Sequence, residues 1–232
     1  MTAATTDGPA AGAVRVLLVD DHGAIRAGLR LMLEAEPRIS VVGEAADGKV
    51  ALSQTAALRP DVVLMDIRMP AMDGIDATRA IVRAELAQVL VLTAFGLDEY
   101  VLGALRAGAA GFLVKTVGQH ELCQAVLRVA AGEGVLAPEV TRTVLAQLAH
   151  TAGDDPARSR TEVPAWWRAL TPRERDVLRC LGAGRSNAEI AEALTISVAT
   201  AKTHVSKVLD KLGCASRLQA AVLARDVGGL DA

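Results

Sequence analysis

The chain has 232 residues, a formal net charge of -2 and 51% hydrophobic residues. That composition excludes a mostly disordered chain, supplies core for one large or two small domains, and contains no apolar run long enough to cross a bilayer. The charge is uneven: residues 165–232 hold ten Lys and Arg against seven Asp and Glu, the remainder fifteen against twenty. A mild basic bias at the C-terminal end is compatible with a nucleic-acid partner but by itself is weak evidence. Cys123, Cys180 and Cys214 are odd in number and lack C-x-x-C spacing, which argues against a disulfide framework or zinc site and fits a reducing cytoplasm.

Residues 1–13 are rich in Ala, Thr and Gly, with neither the basic nor the apolar segment of a signal peptide. They read as a flexible tail. From Val14 the pattern alternates strand and helix. Val14–Val19 is a strand ending in Asp20-Asp21. Ile25, Leu29, Met32 and Leu33 then mark one face of a helix. Ile39–Ala45 and Val50–Leu58 form the next strand and helix. Val62-Val63-Leu64-Met65 is too short for a helix buried all round and reads as a central strand, ending abruptly in Asp66. A helix over Gly74–Ala84, a strand over Gln88–Thr93 and a helix over Glu99–Ala107 follow. Gly111–Lys115 is the fifth strand, and Leu122, Ala125, Val126 and Val129 line a fifth helix closed by Gly132 and Gly134. Five β/α units with right-handed crossovers predict a doubly wound, five-stranded parallel sheet over residues 14–134.

Residues 135–164 read as a linker with one helix, Pro138–His150, before the aperiodic Thr151–Pro164. Beyond it only helix signals remain. Thr171-Pro172-Arg173-Glu174 and Ser186-Asn187-Ala188-Glu189 are capping boxes. Ser197 caps a third helix running to about Leu212, with Ala201, Val205, Val208 and Leu212 as its buried stripe and Lys202, Thr203, Ser206, Lys207 and Asp210 facing away. Gly213 stops it, and Ala220–Val227 gives a fourth. Two short helices joined by the brief Thr195-Ile196 turn predict a helix-turn-helix within an all-α domain over 165–232.

In open parallel sheets ligands bind beyond the carboxyl ends of the strands. If the first and third strands are neighbours, Asp20, Asp21 and Asp66 converge there. Three carboxylates repel one another unless protons or a hard cation compensate, and an oxygen-only donor set suits Mg2+.

In motif content the chain resembles the two-component response regulators with a LuxR/NarL-type output domain, from roughly Val14 to Val227. The receiver-type signals are Val19-Asp20-Asp21-His22, Leu64–Gly74, Leu92-Thr93-Ala94 and Gly111–Lys115. Those of the output domain are Leu170–Arg175 and Thr200–Val205. The resemblance implies a CheY-like receiver fold in which Asp66 accepts a phosphoryl group from a sensor histidine kinase. It further implies Mg2+ held by Asp21, Asp66, Asp20 through water and the Arg68 backbone carbonyl. Lys115 would neutralise the phosphoryl oxygens, and Thr93 would donate to them and be drawn inward, opening space for Phe112 as a switch. His22 is expected to be structural. Thr116 stands where many receivers carry proline, Ala201 where valine is usual, and Ser206 where a longer basic residue would add a contact. The DNA-facing set is Lys202, Thr203, Ser206 and Lys207, with Thr200 and His204 as phosphate contacts.

The expected protein is a cytoplasmic transcription regulator rather than an enzyme, with promoter DNA as its partner, no membrane, and dimers formed on phosphorylation or DNA binding. Before phosphorylation the receiver is expected to cover part of the recognition helix. Ala220–Val227 either forms the output-domain dimer contact or only completes the core. The resemblance also implies that the side chains two residues past Asp66 and Thr93, here Arg68 and Phe95, shield the phosphoryl group from water. A flavodoxin-like enzyme fits poorly, because Asp20-Asp21 would repel a bound phosphate. A phosphatase of the haloacid-dehalogenase kind would want an acid at Arg68. A regulator that works without phosphorylation is the nearer alternative.

Overall fold

The computed structural model describes residues 12–93, 98–136 and 165–226. Phe95, the helix expected over Pro138–His150, the Thr151–Pro164 linker, Val227 and most of the N-terminal tail lie outside the described residues. The first unit runs β1 (Val14–Val19), α1 (Gly23–Glu34), β2 (Ile39–Ala45), α2 (Gly48–Leu58), β3 (Val62–Asp66), α3 (Gly74–Arg83), β4 (Gln88–Thr93), α4 (Asp98–Arg106), β5 (Gly111–Val114), α5 (Gln119–Ala130) and β6 (Val135–Leu136). All strand pairings are parallel, in the order β2-β1-β3-β4-β5-β6. The two-residue β6 was not expected. It pairs Gly111 with Val135 and Phe112 with Leu136, carrying the sheet just past Gly134.

Alternation along the strands sorts the side chains into two layers, as the period of two requires. Leu17, Val19, Val63, Met65, Val89, Val91 and Phe112 pack with Ala51 of α2, Ala77 and Ile81 of α3 and Val101 and Ala104 of α4. Val16, Leu18, Val62, Leu64, Leu90, Leu92 and Leu113 pack with Leu29 and Leu33 of α1 and Leu122, Val126 and Val129 of α5. β3 is buried along its whole length, which explains its unbroken apolar run. The chain leaves β1 for β2 on one side and returns as β3 on the other. The switch point of the sheet therefore lies between β1 and β3.

Among the described residues the second unit has five helices: α6 (Ala165–Ala169), α7 (Pro172–Gly182), α8 (Asn187–Ala193), α9 (Val198–Leu212) and α10 (Arg217–Asp226). Both capping boxes form, and the Ser197 hydroxyl accepts from the Thr200 N–H at 3.1 Å. Each such cap contributes about 1 kcal/mol. Thr195 adopts a left-handed conformation (φ 54°) to make the sharp turn between α8 and α9, and Gly213 (φ 63°) ends α9. The core gathers Trp167, Leu178, Leu181, Ile190, Ala201, Val205, Val208 and Ala220. The unexpected α6 supplies Trp167, with Arg175 and Arg179 over its ring at 5.4 and 5.8 Å.

The two units touch through α10 and through Asn187 at the head of α8, whose Nδ2 donates to the Ala131 carbonyl at 3.4 Å. Gln219 Nε2 donates to the carbonyls of Leu105 (2.8 Å) and Arg106 (3.3 Å), and Arg217 Nη1 to that of Gly132 (3.3 Å). Leu218 and Val222 pack on the layer that contains α3 and α4. One expectation changes here, and one open alternative gains an observation. Lys202, Thr203, Ser206 and Lys207 of α9 are all exposed, so the receiver-side unit covers α10 rather than the recognition helix. Ala220 is wholly buried in the output core and Ala224 packs against it, so this side of the helix completes the core, while Ala221 and Leu223 stay half-buried.

Candidate functional site

Strand register assembles the site. Val19 pairs with Met65, which places the next residues, Asp20 and Asp66, side by side beyond the switch point. Both continue the alternation toward the α1/α5 layer, whereas Thr93 continues it toward the α3/α4 layer. Thr93 pairs with Val114, so Lys115 emerges one residue further along. Asp20 is fully buried, Asp66 is 5% exposed and Thr93 is 6% exposed.

Lys115 Nζ lies 2.7 Å from Asp20 Oδ2 and 2.8 Å from Asp66 Oδ2. The second oxygen of Asp66 accepts from the Ile67 N–H at 2.9 Å, and that of Asp20 from the His22 N–H at 2.8 Å. Burial raises the Asp66 pKa above the usual carboxylate value; its contacts with Lys115 only partly offset this, and the Asp20 charge adds to the rise. Burial acts to lower the Lys115 pKa, but hydrogen bonds to Asp20 and Asp66 outweigh it and the net shift is upward. The lysine thus stays a cation between two acids. With Asp21 beside them, three carboxylates face one ammonium, and the deficit of positive charge fits a hard divalent cation bound through oxygens.

His22 stands nearer the acids than its structural assignment implied. Its Nδ1 is 2.6 Å from Asp21 Oδ1, and ligand atoms of Asp20, Asp21 and His22 all lie within 4.8 Å of one another. Arg68 is exposed at the mouth of a cleft of about 460 Å³ that also includes Asp21, Asp66, Thr93 and Lys115. Phe112, the expected switch residue, is wholly buried in this conformation, paired with Val91 across β4 and β5.

Gly74 is a requirement the motif contains but does not explain. Its N–H donates to the Ile67 carbonyl at 2.8 Å, and a Cβ there would fall 1.9 Å from the Asp66 carbonyl oxygen. Only glycine lets α3 begin so close to the acidic strand end.

On α9 the buried stripe is Ala201, Val205 and Val208, with Leu212 partly buried. Thr200, Lys202, Thr203, Ser206 and Lys207 are exposed opposite it. His204 is half-buried with Nδ1 enclosed and without a partner among the described residues, so any DNA contact from this ring falls to Nε2. The apolar Val198 at the head of the same face is also exposed.

An acidic strand-end cluster with a lysine, joined to a helix-turn-helix, defines a phosphorylation-type receiver coupled to a DNA-binding output. Residues 16–127 match the response regulator receiver domain, and residues 168–224 match the bacterial regulatory proteins of the luxR family. The chain is 41% identical over 213 residues to the transcriptional regulatory protein LiaR of Bacillus subtilis, covering 91% of this chain and 96% of that one. It is 38% identical over the same length and shares to the response regulator protein VraR of Staphylococcus aureus. Among solved structures it resembles the response regulator ChrA of a heme-sensing two-component system (38% identity, TM-score 0.52, 93% of this chain and 98% of that one). The chain belongs to the response regulators with a LuxR-type DNA-binding domain. No helix among the described residues is long and apolar enough to cross a membrane.

Proposed function

We propose that Asp66 accepts a phosphoryl group from a cognate sensor histidine kinase and that this controls promoter binding by α9. The carrying observation is the Lys115 ammonium within 2.7–2.8 Å of both Asp20 and Asp66 at the switch point. Transfer breaks the P–N bond of a phosphohistidine and forms a P–O bond to the Asp66 carboxylate. Phosphoryl transfer asks the protein mainly for positioning and charge neutralisation. Lys115 supplies a fixed positive charge beside the transferred oxygens, and the Thr93 hydroxyl donates to one of them. The carboxylates of Asp21 and Asp66, with Asp20 behind them and the Arg68 carbonyl, are the groups that would hold Mg2+. The metal would neutralise phosphoryl charge during transfer.

On the output side, Lys202, Thr203, Ser206 and Lys207 would enter the major groove, with Thr200 and the Nε2 edge of His204 at the phosphates. One such helix neutralises few phosphates, so a single copy binds weakly and two copies on paired half-sites roughly double the contacts. Phosphorylation would favour that dimer, in the cytoplasm where kinase and promoter are available.

Incubation with acetyl phosphate and Mg2+, followed by mapping of the modified residue, should label Asp66 alone. Asp66→Asn should stay unlabelled and should not gain promoter affinity on treatment. Full labelling of that variant refutes the assignment. Promoter binding by wild type that ignores phosphorylation favours the phosphorylation-independent regulator.

A further inference from the structure

Val198 is the one large apolar side chain of the C-terminal unit that is left exposed among the described residues, at 45%. It is the first residue of α9, and it stands apart from the core stripe of Ala201, Val205 and Val208. Helix geometry puts it in one row with Lys202 and Ser206 at i, i+4 and i+8. A second row is Ala199, Thr203 and Lys207. All six are exposed. The Thr203 hydroxyl donates to the Ala199 carbonyl at 3.1 Å. Its proton is thereby committed to the helix, leaving a methyl group and an acceptor-only oxygen toward any partner.

The first turn and a half of this face therefore offers methyl groups from Val198, Ala199 and Thr203, with Lys202 and Lys207 alongside to hold a polyanion. Ser197 fixes the geometry of that turn through its bond to the Thr200 N–H. In the major groove the thymine C5-methyl is the base-edge feature that matches an apolar contact. The N-terminal residues of a recognition helix are the ones that reach base edges. We propose that Val198, backed by Ala199 and the Thr203 methyl, is a specificity-determining contact that reads a thymine methyl in each half-site. This rests on α9 being the recognition helix.

The test uses full-length phosphorylated protein. Duplexes are selected from a random double-stranded library, and the tightest one is resynthesised with deoxyuridine replacing each thymidine in turn, which removes only the methyl. At least one position per half-site should weaken binding about 4-fold, the worth of one buried methyl group. In Val198→Ala, an exposed site where folding is not at stake, that uracil penalty should shrink toward 1-fold. In Lys202→Ala binding should weaken on both duplexes alike with the penalty kept. A uracil penalty of the same size in Val198→Ala overturns the inference, as does the absence of any uracil-sensitive position. So does a Val198→Ala protein that binds DNA normally and fails only in transcription, which would make Val198 a protein contact. Recovery of no duplex at all overturns the DNA reading of α9, and this inference with it.

Discussion

Asp66 and Gly74 carry opposite liabilities within one turn of chain. The buried Asp66 carboxylate keeps a raised pKa even with Lys115 at 2.8 Å, so its ionised form is a cost to the fold at neutral pH. Asp66→Asn should raise the thermal midpoint in Mg2+-free buffer by a few degrees. The gap should narrow when Mg2+ is added, because the ion stabilises only the wild-type folded state. A midpoint in the variant at or below wild type without Mg2+ would contradict this. At Gly74 the clash is with backbone, 1.9 Å from the Asp66 oxygen, and backbone yields less readily than a side chain. Gly74→Ala should cost roughly 3 kcal/mol or more in a denaturant titration. It should also slow labelling by acetyl phosphate, since the displaced atom belongs to the acceptor residue.

At the scale of elements, α7 and α9 are tied by a charge pair. Lys211 Nζ lies 2.6 Å from Glu174 Oε2, whose carboxylate also accepts from the Thr171 N–H at 2.8 Å. The Lys211 hydrogen bond is the main reason the Glu174 pKa falls from 4.5 to about 2. A depressed acid pKa gives stability that is present above pH 4.5 and lost as pH falls toward 2. Lys211→Met should therefore destabilise the protein by roughly 1–2 kcal/mol at pH 7, discounted for the partly exposed lysine. Denaturant titrations at pH 7, 4 and 2.5 should show that difference vanishing across the window. An equal loss at all three pH values would assign the effect to packing. Much of the architecture was legible beforehand: β1 to β4 have the expected bounds because central strands write themselves as apolar runs. β6 and α6 were not, since two and five residues cannot display a period. The start of α10 was misplaced from Arg217 to Ala220 because Arg217 and Gln219 break the apolar pattern. Those polar residues are the ones the first unit engages. The acids were legible from residue type at strand ends and Thr93 and Lys115 only through the family resemblance, whereas the glycine requirement and the His22–Asp21 contact depend on tertiary approach.

Across the whole molecule, α10 carries most of the described contact between the units. Gly134 sits where a Cβ would fall 2.7 Å from Leu218 Cδ2 and 3.1 Å from Arg217 Cγ. A larger side chain there should push on Leu218 and wedge the units apart. Gly134→Val should increase the hydrodynamic radius of the unphosphorylated protein and bring its promoter affinity toward that of the phosphorylated form. Unchanged radius and affinity would show that this contact does not restrain the output domain.

The two-faced α10 has a consequence for dosage. Its Ala220 side stays in the output core whatever happens, but parting the units uncovers Leu218 and Val222, and water is a poor partner for them. Two opened copies can cover those side chains against each other; one copy cannot. If opened copies pair as proposed, opening becomes a reaction whose balance moves with protein concentration, since paired products gain by mass action. The cell could then shift the threshold of this switch by changing how many copies it makes, with the kinase signal held constant. A strain that overproduces the protein should respond to weaker stimuli, and the dose–response should steepen as the copy number falls toward the pairing constant.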